Sequence, residues 1–306
     1  MKAVYHEGYQ SALPVGHPFP MSKYPLLRAI LLAEGLLGEA QIVEPEALDL
    51  ATLSLVHSPE YLQKLASNGL SSQEQRLLGL PWSDALWWRS RLTCAGTLLA
   101  ARLALADGMA ANLAGGTHHA FEDHGEGFCV INDIAVAVRK LQAEGLIERA
   151  LVVDLDVHQG NGTAAIFAGD DRVFTFSMHC ERNYPLRKMR SCLDVALPSG
   201  ARDAEYLTEL ALHLPLALDY AHADIAFYLA GVDVAAGDRF GKLELSDDGV
   251  RARDAYVVET VRSRSVPLAI VLGGGYAPTR ERTARLHAEV FRAALEYEHH
   301  QSSSRP

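Results

Sequence analysis

The chain has 306 residues, 49% of them hydrophobic, which is enough to bury a full core as one large α/β domain or two small ones, the single domain being preferred. Its 28 Lys plus Arg against 38 Asp plus Glu give a formal charge of -10, with no basic stripe or Arg-rich tail to neutralise phosphates, which argues against direct nucleic-acid binding. Cys94, Cys129, Cys180 and Cys192 form no C-x-x-C pair, the opening MKAVYHEGYQ lacks a signal-peptide apolar stretch, and no run of about eighteen apolar residues occurs. A soluble protein of the reducing cytoplasm, with no membrane span, is expected.

In chain order, HSPEYLQKLASNG is the first legible helix, with Ser58 as N-cap, Pro59 at the first helical position and Gly69 at the end. An apolar run at 112–115 predicts a strand, and NDIAVAVRKLQAEG predicts a helix that opens at Asn132 or Asp133 and stops at Gly145. Further apolar runs at 150–155, 172–177, 224–230 and 267–272 alternate with longer amphipathic segments. That alternation predicts βαβ crossovers and an α/β fold, a central, mainly parallel sheet with helices on both faces. No repeat or linker divides residues 1–298, which are read as a single catalytic domain. The polar end HHQSSSRP, 299–306, is read as a flexible tail.

In open sheets of this kind ligands bind beyond the carboxyl ends of the strands, so the residues after each strand matter most. After 112–115 comes GGTHHAFEDHGEGFCVIND with His118 and His119; loops tolerate histidine freely, so the pair alone does not make a site. In LVVDLDVHQGNGT, Asp154, Asp156 and His158 stand at alternating positions, which in an extended strand share one face. GVDVAAGD delivers Asp233 after 224–230, and GGGY delivers Tyr276 after 267–272. Each piece has an ordinary reading: Asp-x-Asp is also a satisfied turn or a Mg site, three glycines a tight turn, and Asp233 loop polarity.

Four strand ends that deliver these groups together point to a metal site. One imidazole and two carboxylates suit a zinc ion with an open position, and their charge balances a dication. Zinc lowers the pKa of a bound water towards about 7, the His pair can move protons, and a tyrosine hydroxyl can stabilise an oxyanion. These parts make an amide hydrolase. Asp154 would orient one histidine and Asn161 would bond the other.

GGTHHA, GFCVINDIAVA, DLDVHQGNGT, AGVDVAAGD and LGGGY, in this order, resemble the histone deacetylase and acetylpolyamine amidohydrolase superfamily, which has the arginase-like α/β fold. The resemblance runs from HPFPMSKY through VHSPEYL to Tyr276, and DVHQGNGT with ERNYPLRK is most similar to the class IV deacetylases and their compact bacterial relatives. It implies zinc ligands Asp156, His158 and Asp233, with zinc or ferrous iron in the cell. It also implies His118 as an electrostatic partner of Asp154, His119 as the main base and acid, and Tyr276 as oxyanion donor. A structural potassium ion is implied as well, with Asp154, Asp156, His158, Ser177 and Met178 as ligands by position.

Gly127 and Phe128 match the family's substrate-channel wall, and the loop with Tyr184 is a candidate for the opposite wall. Asn161 stands where class I deacetylases carry an aspartate, which implies a neutral partner and a lower pKa for His119. The stretch 70–90 shows no clear counterpart of the acidic loop residue that class I uses to grip a peptide backbone, and Asp84 is the one substitute on offer. The implied activity is removal of acetyl or longer acyl groups from lysine side chains or related amines. Acetylpolyamines and other small amides are the alternative substrates. A non-enzymatic acyl-lysine binding module is the alternative of another class, and its signature would be a lost ligand or a lost Tyr276.

Overall fold

The computed structural model describes residues 1–303. Its strands are β1 (Lys2–Val4), β2 (Ile42–Val43), β3 (Met109–Asn112), β4 (Ala150–Asp154), β5 (Val173–Cys180), β6 (Leu193–Leu197), β7 (Ile225–Ala230) and β8 (Leu268–Leu272). The helices are α1 (Lys23–Ala33), α2 (Leu50–Leu53), α3 (Pro59–Ala66), α4 (Ser72–Leu78), α5 (Asp84–Asp107), α6 (Asp133–Ala143), α7 (Asn161–Ile166), α8 (Asp203–Ala221), α9 (Asp247–Ser263) and α10 (Arg280–Ser303).

All eight strands lie in one sheet, in the order β2-β1-β3-β8-β7-β4-β5-β6, and every pairing is parallel. The central strands ALVVD, IAFYLA and LAIVL are buried at every residue, as a parallel sheet covered on both faces requires. One cover is the pair α5 and α6, with α5 lying along β3 and β8. The other runs through α8 on β4 and β5, then α9, α10 and α1, each packed on the next. Among the described residues no helix is long and apolar enough to cross a membrane.

The predicted N-cap Ser58 forms, its Oγ accepting from Tyr61 N, and of the two candidates for the second helix Asn132 is the cap, its Oδ1 accepting from Ala135 N. The helices close two to three residues short of the glycines expected to end them, at Ala66 and Ala143. The strand expected at 112–115 is Met109–Asn112, because the apolar run continues past the last sheet pairing into the loop. Strands β1, β2 and β6 were not legible. β1 and β2 are only three and two residues long, and β6 is an edge strand with LDVAL buried at alternate positions. The end expected to be a tail from residue 299 is helical through Ser303, and its remainder, 304–306, lies outside the described residues.

Candidate metal centre and its histidine pair

Strands β3, β8, β7 and β4 are consecutive neighbours, so the four loops that leave their carboxyl ends meet. β4 ends at Asp154, and the chain then turns. Asp156 and His158 therefore converge through a turn and not through the pleat of a strand, which corrects the expectation of a shared strand face. The turn is knit by its own acids and by one from the loop after β7: Asp156 N donates to Asp154 Oδ1 at 3.2 Å, His158 N to Asp156 Oδ1 at 2.9 Å, and Val157 N to Asp233 Oδ1 at 3.0 Å. Gly274 N donates to Asp156 Oδ2 at 2.7 Å, so the loop after β8 closes the cluster.

Asp156, His158 and Asp233 each offer a ligand atom within 4.8 Å of the others, and both carboxylates are buried. His158 Nδ1 lies 2.9 Å from Asp156 Oδ1 and 3.3 Å from Asp233 Oδ2. One ring nitrogen cannot serve two carboxylates with one hydrogen, and Asp233 Oδ2 is left buried without a hydrogen-bond partner. Burial and the adjacent Asp156 carboxylate push Asp233 up to about 6, while Asp156, despite its own burial, is held well below the usual carboxylate range by His118 and His158. A divalent cation relieves both the orphaned oxygen and the carboxylate repulsion, so the donor set fits a metal. Glycine is required beside it: a Cβ on Gly274 would stand 1.7 Å from Asp233 Oδ2.

The histidines sit against this cluster, with ring centroids 4.1 Å apart and both side chains buried. Their loop is hung from Asp133, whose oxygens accept from Gly116 N at 3.0 Å and Thr117 N at 2.8 Å. His118 Nδ1 is 2.7 Å from Asp154 Oδ2, and His119 Nδ1 is 2.6 Å from Asn161 Oδ1. Burial opposes charge on both rings. For His118 the Asp154 and Asp156 carboxylates outweigh it and raise the ring to about 9. His119 has a neutral partner, and burial with the charges of His118 and His158 holds it well below the ordinary histidine value. Near pH 7 the pair is an imidazolium beside a neutral imidazole, a division the sequence left open.

Asn161 has a further partner that sequence reasoning missed: its Nδ2 donates to Glu126 Oε1. A carboxylate accepts only, so it fixes the amide with Oδ1 towards His119. Nδ1 of His119 then carries the hydrogen and Nε2 keeps its lone pair. Nothing in HGEGF signals this contact, because residues 126 and 161 meet only in the fold.

The centre forms the floor of a cavity of about 590 Å³ lined by the triad, both histidines and Tyr276. The expected channel residues Gly127, Phe128 and Tyr184 line it too. Tyr184 lies edge-on to His119 at 4.9 Å between ring centroids, and Phe128 packs against Phe19 at 5.6 Å and Tyr276 at 6.1 Å. Phe240, 4.8 Å from the Tyr276 ring, is a wall that the sequence did not suggest. Asp84 is exposed at the start of α5 and does not reach the cavity; Arg76 and Leu77 of α4 stand at its mouth instead. Ser177, one of the residues named for potassium, pairs with Asp154 across β4 and β5, and its Oγ is 3.0 Å from His179 Nδ1.

The model of the family described as "Histone deacetylase domain" matches residues 17–294. The chain is 47% identical over 291 residues to an uncharacterized protein of Picosynechococcus sp. (strain ATCC 27264 / PCC 7002 / PR-6), covering 95% of this chain and 97% of that one. It is 33% identical over 275 residues to Histone deacetylase 2 of Arabidopsis thaliana, covering 87% and 71%. The crystal structure of the HDA15 HD domain superposes with a TM-score of 0.80 at 22% identity, over 96% of this chain and 91% of that one, a likeness of fold.

Proposed function

The chain belongs to the histone deacetylase family, and from that premise we propose that it is a zinc-dependent hydrolase that removes acyl groups, acetyl or longer, from lysine side chains or related amines. The observation that carries this is the meeting of Asp156, His158, Asp233, the histidine pair and Tyr276 in one cavity. Asp156, His158 and Asp233 would hold zinc, or ferrous iron in the cell, which supplies a Lewis acid that acidifies water and polarises the acyl carbonyl.

The chain's own residues do the rest. His119, neutral and with Nε2 free to accept, takes a proton from the attacking water. His118, charged by its contact with Asp154, stabilises the negative charge that develops beside it and holds a proton for the leaving amine. Tyr276 donates its hydroxyl hydrogen to the acyl oxygen as that oxygen becomes negative. Burial, reinforced by Asp233 and Asp156, pushes its pKa well above the usual tyrosine value and keeps that hydrogen in place. The methylenes of the acyl-lysine run between Gly127, Phe128 and Tyr184. A potassium ion held by Asp154, Asp156, His158, Ser177 and the Met178 backbone would brace the same turn; the Asp154–Ser177 pairing supports that placement.

The test is metal analysis of the purified protein together with turnover of acetyl-lysine peptides, long-chain acyl-lysine peptides and acetylpolyamines. Metal-dependent release of the free amine from at least one class is expected. A zinc-loaded, folded protein that turns over none of them would refute the proposal.

A further inference from the structure

The mouth of the cavity carries cations that, among the described residues, have no acidic partner. Arg76 at the end of α4 and Lys242 in the loop after β7 both line the opening, and both are exposed. Lys242 Nζ donates to the carbonyl of Arg182 at 2.8 Å, which ties the segment 182–190, with Arg182, Arg187, Lys188 and Arg190, to the same opening. The Arg239 guanidinium lies 5.4 Å from the ring of Phe240, a cavity wall. Among the described residues Arg76, Arg182, Arg187, Arg190 and Arg239 make no ion pair.

Several arginines elsewhere on the surface are matched to acids, as Arg28 is to Glu39 at 2.8 Å, Arg102 to Glu144 at 2.7 Å, Arg264 to Asp219 at 2.6 Å and Arg282 to Asp247 at 2.9 Å. The acids near the mouth are fewer: Glu126 is turned inward onto Asn161, Asp238 accepts from the backbone of Phe240, Gly241 and Tyr276, Asp123 lies against His124, and Glu181 is a single exposed carboxylate beside Arg182. On a chain of formal charge -10 this is a local reversal of sign. The absence of a basic stripe in the sequence hid it, because the cations come from three separated segments that only the fold assembles.

Clustered, unpaired like charges repel one another and attract an oppositely charged ligand to the cleft they surround. Apolar side chains stand among them, with Leu77, Leu186 and Met189 exposed by 44%, 97% and 41%. Such a rim repels a polyamine, and its spread over three segments matches charges on either side of an entering side chain better than one small anion. Resting on the deacylase reading above, we propose that the rim recognises an acidic peptide segment, so that the preferred substrate is an acylated lysine with Asp or Glu on both sides.

The experiment uses the zinc-loaded protein and three peptides with one central acyl-lysine, carrying the acyl group that is turned over best, flanked by Glu, Gln or Lys. Expected is kcat/KM in the order Glu, Gln, Lys, with about a tenfold span at low salt that collapses at about 0.5 M salt, where charges are screened within a few ångströms. The double variant Arg76→Glu/Lys242→Glu should invert the ratio between Glu- and Lys-flanked peptides. Equal rates, a preference for the Lys-flanked peptide, or a preference indifferent to salt would overturn the proposal. So would free Nε-acyl-lysine, with its single carboxylate, matching the Glu-flanked peptide. If no acyl substrate is turned over, the deacylase reading has failed instead. Titration calorimetry of the Glu- and Lys-flanked peptides then still decides the rim, equal affinities overturning it.

Discussion

Replacing Asn161 by aspartate probes the proton affinity of His119 through its one direct partner. Asn161 Oδ1 is 2.6 Å from His119 Nδ1, and the other end of the amide donates to Glu126. A full negative charge at that distance from a buried imidazole raises its pKa by about 1–3 units. The substitution also removes the donor facing Glu126, so two carboxylates come into contact and one of them takes up a proton near neutrality, which blunts the effect. Asn161→Asp alone should therefore give only part of the shift, and Asn161→Asp/Glu126→Gln, which returns an amide donor from the opposite side, should give all of it. The assay is the pH profile of kcat/KM, whose acid limb reports the base of the free enzyme. In the parent protein that limb is expected below 6.5, because burial and the charge of the neighbouring His118 hold His119 well below that value. In the double variant it should move up by about 1–3 pH units, with activity lost below the new limb and retained above it. An acid limb that coincides with that of the parent would refute the assignment of His119 as base with Asn161 as its partner.

Tyr276→Phe should lower kcat by about 10²–10³-fold, the usual cost of one oxyanion donor, with metal content and melting temperature unchanged; near-normal kcat would remove Tyr276 from the reaction. Gly274→Ala would place a Cβ 1.7 Å from Asp233 Oδ2 and 3.0 Å from Asp156 Oδ2. It should abolish stoichiometric metal binding in elemental analysis, and a variant that retained its metal would contradict the assigned ligands. His57, buried and accepting from Asn132 N at 3.0 Å, is brought down to about 4 by burial. Its folded pKa is depressed, so the stability it contributes, about 3 kcal/mol, is present above pH 6.5 and is lost as the pH falls towards 4. Urea denaturation across that range should show a slope that His57→Gln reduces by one proton's worth, and an unchanged slope would count against the assignment.

The sequence by itself determined the chemical inventory and the local elements. A strand buried on both faces must be apolar throughout, so ALVVD, IAFYLA and LAIVL announce themselves, and the polar groups just beyond them, Asp156, His158, Asp233 and Tyr276, stand out against that background. Capping is equally local, which is why Ser58 could be placed and the second cap narrowed to Asn132 or Asp133. The resemblance of five motifs fixed the family. Only the tertiary structure decided the rest. Whether the four loops meet depends on strand order, and β3-β8-β7-β4 is set by burial of the whole sheet, not by any one segment. It also decided that the strand ends at Asp154 and a turn gathers the acids, that Asp154 charges His118 while Asn161 leaves His119 neutral, and that Glu126 holds that amide. The cationic mouth belongs to the same class: Arg76, Arg182, Arg239 and Lys242 are dispersed in a net acidic chain, and charges act through space, so only folding could make them one surface.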